Sequence, residues 1–174
     1  MTICIAAIGK YKFGSNELEA IVFATDHMVG VPVGQFEHAI EKYKKISENC
    51  IAMFASNNAL LFNEIVEGLD NEADFIVQCN NIFEKMKKLR LEKIEREILS
   101  SFDVNLGFVK ENLNKPIQNQ VIQQIFETIA KYSLQSQLLL IGFKDSKAQI
   151  SEITDMGYWQ LRDINFGAIG SGYA

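Results

Sequence analysis

The chain has 174 residues, 48% of them hydrophobic and 22% charged, with a formal net charge of −5. That length is enough to bury a core as one domain. The acidic balance argues against a nucleic-acid binder, which needs a basic surface to displace counterions.

No apolar run is long enough to span a bilayer, so a cytoplasmic protein that binds neither membrane nor nucleic acid is expected. Cys4, Cys50 and Cys79 are odd in number and far apart, without a CxxC pair. They read as reduced, buried thiols. His27 and His38 have no accompanying ligand pattern, so neither a metal nor another cofactor is expected.

In chain order, Thr2–Ile8 is apolar and β-branched, and reads as a strand. Lys10–Leu18 contains Gly14-Ser15-Asn16, a turn between two strands. Glu19–Thr25 reads as a second, buried strand, and Gly30, Pro32 and Gly34 as a connection. Lys42–Ile46 and Cys50–Ala55 form a hairpin pattern around Ser47-Glu48-Asn49.

The period then becomes helical, with Leu61, Ile65, Val66 and Leu69 following an Asn57 or Asn58 cap. Phe75 to Ile98 carries a second helical run. It includes Lys85–Lys93, whose interleaved Glu residues mark a solvated face with i,i+4 pairs. The pattern loosens around Asp103–Gly107, and Pro116 precedes a third helix through Val121, Ile125 and Ile129. Strands return at Gln137–Phe143, Ala148–Thr154, Gly157–Leu161 and Ile164–Ile169, with a turn at Lys144–Lys147. Helices segregated from antiparallel strands make an α+β layered domain over residues 1–174.

Four segments carry a resemblance. Thr2 directly follows the initiator Met; Ala24-Thr25-Asp26 ends the second strand; Lys42-Tyr-Lys-Lys-Ile46 leads through the hairpin to Ala52-Met-Phe-Ala-Ser56; and Leu140-Ile-Gly-Phe143 precedes the terminal Gly167-Ala-Ile-Gly-Ser-Gly172. In this order the chain resembles the proteasome-type N-terminal-nucleophile (Ntn) hydrolases. The resemblance implies a four-layer αββα sandwich, with a helical insertion at roughly 83–116 and a C-terminal helical layer missing after Ala174. It implies a threonine-type peptidase or amidohydrolase acting on a peptide or amide substrate. Thr2 would be the nucleophile after loss of Met1, Lys42 its cationic partner, Asp26 the residue holding Lys42, and Ser171 a support for the Thr2 amine. Ser56 stands where the family has its oxyanion glycine and would donate its backbone N–H. Phe54 would lie at the substrate pocket. The uncovered sheet face implied by the missing layer suggests a homo-oligomer or ring-type assembly. The alternative kept beside the enzyme is a catalytically inactive proteasome-like structural or assembly subunit.

Overall fold

The computed structural model describes residues 3–26, 28–31, 34–37, 42–58, 60–113, 115–116, 119–161 and 164–170. The order is six strands, four helices and four strands. β1 (Cys4–Phe13), β2 (Asn16–Thr25), β3 (Met28–Val31), β4 (Gly34–Glu37), β5 (Tyr43–Ser47) and β6 (Cys50–Ser56) precede the helices. These are α1 (Leu60–Val66), α2 (Phe75–Glu97), α3 (Leu106–Asn112) and α4 (Gln120–Lys131). β7 (Ser136–Lys144), β8 (Lys147–Thr154), β9 (Gly157–Gln160) and β10 (Phe166–Ile169) follow. The class is α+β, and every strand pairing described is antiparallel.

The strands form a five-stranded sheet β5-β6-β7-β8-β9, a three-stranded sheet β10-β1-β2 and a two-stranded ribbon β3-β4. Alternation along β6 and β7 explains the layering, because successive side chains leave opposite faces. Cys50, Ala52, Phe54, Leu138 and Leu140 join the core shared with α1 and α2. Met53, Ala55, Leu139 and Ile141 instead meet Cys4, Ala6 and Ile169 of the smaller sheet. With both faces covered, the middle of the large sheet has no need of polar residues, hence the unbroken run Leu138–Ile141. Gly167 lies in this inter-sheet layer, where an added Cβ would sit 2.9 Å from Ile150 and 3.0 Å from Leu139. A side chain there would force the sheets apart.

Local chemistry sets the boundaries. Gly14, at φ 63°, turns β1 into β2, and Asp145 and Ser146, both with positive φ, turn β7 into β8. Asn58 Oδ1 accepts from Leu60 N at 3.0 Å before α1. Asp74 caps α2 through Val77 N at 2.9 Å, and Asn119 caps α4 through Val121 N at 2.8 Å. A third cluster, built on Ile94, Leu99, Val109 and Ile125, ties α4 and α3 to the end of α2.

Three sequence expectations need correction. β2 is not a buried strand, since Val22 is 70% exposed: among the described residues, only one face of the small sheet is covered. The Gly/Pro segment is more than a connection, because β3 and β4 pair from Met28↔Glu37 to Val31↔Gly34. The loosened stretch runs into the two-turn helix α3, started by Asn105 Oδ1 accepting from Phe108 N at 3.0 Å. No helix among the described residues is long and apolar enough to cross a membrane.

Candidate functional site

β2 ends against the start of β1, and this junction gathers the polar groups. Asp26 N donates to Ile3 O at 3.0 Å, extending the β1–β2 ladder by one step. The Asp26 side chain then turns back, and its Oδ1 accepts from Ile3 N at 3.1 Å. The same oxygen accepts from Lys42 Nζ at 2.7 Å. One carboxylate oxygen therefore holds both the first described backbone amide and a lysine ammonium.

Lys42 reaches this point from the other sheet. It immediately precedes β5, and its carbonyl accepts from Phe54 N at 2.9 Å, fixing it against β6. Its side chain is 9% exposed, against 25% for Asp26. So little solvent means the ammonium depends on charge and hydrogen bonding within the protein.

Cys4 completes the wall. Its thiol donates to Phe54 O at 3.6 Å. Burial, reinforced by the Asp26 carboxylate and opposed by Lys42, pushes its pKa up to about 11. The thiol is thus protonated at neutral pH, and Cys4 is a poor nucleophile despite its position.

Ser56 ends β6 beyond this wall. Its Oγ lies 2.7 Å from Ser136 Oγ and accepts from Asn58 N at 3.0 Å. Because Ser136 Oγ donates to Leu134 O at 3.0 Å, the Ser56 hydroxyl is the donor of the serine pair. The side chain is committed to closing the strand end. Its backbone N–H has the same parity as that of Phe54, which is directed across to Lys42. Alternation therefore aims the Ser56 amide to the Lys42 side of β6, away from β7.

Of the expected site residues, Asp26 and Lys42 are in direct contact, and Ser56 ends the strand beside them. Thr2 and Ser171 lie outside the described residues, as do His27 and His38. Gly170, next to Ser171, donates its amide to Gln137 Oε1 at 3.0 Å. Phe54 corrects an expectation: its side chain is 5% exposed and stacks on Phe62 at 5.0 Å between ring centres, in the core beneath the helices. Even residues of β6 face the helices, so Phe54 gives the site its backbone while its ring packs in the core under α1 and α2. Sequence reasoning missed Cys4 as part of the wall. Its even position in β1, matching Ala6 on the inter-sheet face, was the available signal.

A cleft of about 850 Å³ opens at the opposite end of the β5–β6 hairpin, lined in part by Lys45, Glu48, Asp74, Lys144 and Asp145. It is separate from the Asp26–Lys42 pair. No protein-family model matches the chain, and no curated protein matches it.

Proposed function

We propose that this chain is a proteasome-type N-terminal-nucleophile hydrolase that cleaves a peptide or amide bond through an acyl intermediate on Thr2. The observation carrying this reading is the shared Asp26 oxygen, which draws Lys42 Nζ and the Ile3 amide to one atom. Thr2 is the residue bonded to that amide nitrogen. Two stacked antiparallel sheets with helices beyond the larger one support the sandwich the family implies. Three free, buried cysteines suit a reducing compartment such as the cytoplasm.

After loss of Met1, the Thr2 α-amine takes the proton from the Thr2 hydroxyl as its oxygen attacks the substrate carbonyl. The Ser56 amide stabilises the resulting oxyanion. The ammonium returns the proton to the leaving amine, leaving an ester on Thr2. Water, deprotonated by the same amine, then attacks the ester and releases the acid. Lys42 contributes a fixed positive charge that favours the alkoxide and the neutral amine, while Asp26 holds it in place.

Intact mass measurement combined with hydrolysis of fluorogenic peptides tests this proposal. The expected result is loss of the Met1 mass and turnover that rises with pH through the α-amino range, about 7.7–8.0. Thr2→Ala abolishes turnover, and Lys42→Ala reduces it by roughly 10²- to 10⁴-fold. Full activity in Thr2→Ala overturns the mechanism.

A second reading rests on the same contacts. Asp26 closes the β1–β2 ladder at both its backbone N–H and its carboxylate, so the ion pair also serves as a clamp between sheets in an inactive assembly subunit. Retention of Met1, with no turnover and a stability loss in Lys42→Ala, selects that reading.

A further inference from the structure

The outward face of β10-β1-β2 has an unusual composition. Paired residues of an antiparallel sheet share a face, so the register assigns it row by row. From one end the rows are Ile5-Ala24-Ala168, Ala7-Val22-Phe166, Gly9-Ala20, Tyr11-Leu18 and Phe13-Asn16. Twelve positions thus hold one polar residue, Asn16, and no charge. The four charges of this hairpin, Lys10, Lys12, Glu17 and Glu19, all belong to the opposite face. Lys10 pairs with Glu17 there at 3.6 Å, and Glu19 accepts from Ala148 N of β8 at 2.6 Å. A sheet with one solvated face places its charges outward; this one does the reverse.

The apolar face is open among the described residues. Phe13 is 73% exposed, Val22 70%, Tyr11 49%, Phe166 48%, Leu18 43% and Ile5 37%. These six side chains leave on the order of 600 Å² of apolar surface in one patch, at or above the largest patch of a typical monomer.

We propose that this face is the interface of a two-fold dimer of the chain, two small sheets packing face to face. A two-fold axis along the Gly9-Ala20 row sets Tyr11 over Ala7, Leu18 over Val22 and Phe13 over Ile5, because β1 is the middle strand of β10-β1-β2. Every opposed pair along β1 and β2 is thus apolar except Asn16 over Ala24, as the inner faces of packed sheets require. The pairing buries roughly 1,200 Å² in total, the lower end of the range for specific interfaces. The net charge of −5 per chain does not oppose it locally, because no charged side chain belongs to the face.

Sedimentation velocity from low to high micromolar concentration tests this. The expected result is a concentration-dependent dimer, with self-association weakened at least ~100-fold by Val22→Glu, since closure then buries unpaired carboxylates. Val22 is exposed in the single chain, so the variant keeps its fold, checked by far-UV circular dichroism. Ala20→Cys, next to the axis, is linked to its symmetry mate by a short bismaleimide, which spans the roughly 10 Å between packed sheets. A monomer at all concentrations overturns the proposal, whether another partner then takes the face or nothing does. A dimer unaffected by Val22→Glu overturns it equally.

Discussion

Cys4 follows the amide that Asp26 holds, and Cys79 sits in the core of α2; both are fully buried. Burial raises each thiol to about 11 from an ordinary value of 9.0. As pH rises from about 9 towards 11, the unfolded chain therefore loses these protons before the folded chain does. The folded state then binds more protons, so stability falls with increasing pH through that window. Denaturant titrations across it are expected to show the fall, and a Cys4→Ala/Cys79→Ala variant a shallower one. An equal slope in the variant would remove these thiols as its source. That the thiols are buried was legible from their scatter and their apolar neighbours. The wall that Cys4 forms with Asp26 and Lys42 was not, because it needs two strands from one sheet and a loop from the other.

At the scale of elements, Arg90 joins three parts of the fold. It lies in a stretch of α2 whose alternating charges read as a solvated face, and its neighbours behave so: Lys87 pairs with Glu84, and Lys88 with Glu92, in exposed contacts. Arg90 turns inward instead. Its Nε lies 3.3 Å from Asp155 Oδ2 and 3.0 Å from Tyr132 O, while Nη2 reaches Ile129 O at 3.2 Å. Asp155, its side chain 1% exposed, also accepts from Leu134 N at 3.2 Å and Ser133 Oγ at 3.2 Å. One guanidinium thus closes the end of α4 and neutralises a carboxylate in the β8–β9 turn. Arg90→Leu should cost about 3 kcal/mol in urea unfolding, because Asp155 is left buried without its cation. Arg90→Lys should recover only part of this, since a single ammonium cannot reproduce the three-way fork. A Leu variant as stable as the parent would show the carboxylate to be solvated after all.

The elements themselves were unevenly legible, for physical reasons. β7 and β8 are apolar runs around a polar turn, and α2 has a clear helical period; local pattern and tertiary burial agree. β3 and β4 contain Gly30 and Gly34, which mark a break, yet backbone pairing does not require side chains of high strand propensity. α3 has only two turns, too short for a period to emerge before its Asn105 cap is seen. Arg90 could not be separated from its exposed neighbours, because its partner is 65 positions away.

For the whole molecule, the layers predict a gradient of local stability. β6 and β7 are covered on both faces and pair on both edges, so their central amides exchange only when the fold opens globally. The β1–β2 hairpin runs past the inter-sheet core. From Gly9 to Leu18 every residue is exposed, although the ladder continues unbroken to Phe13↔Asn16. Hydrogen bonds without covering side chains open locally at little cost, so the tip should exchange fastest among the paired strands. Native-state hydrogen exchange read by mass spectrometry can resolve peptides spanning 9–20 from those spanning 50–56 and 137–143. The expected order is a fast tip and slow central strands in dilute protein. Face-to-face pairing puts Tyr11, Leu18 and Phe13 under a second copy, so tip protection should rise with protein concentration while β6 and β7 stay unchanged. Equal exchange in tip and centre when dilute would contradict the layering. A tip insensitive to concentration would leave the layering intact and count against the dimer, so the measurement separates the fold from its assembly.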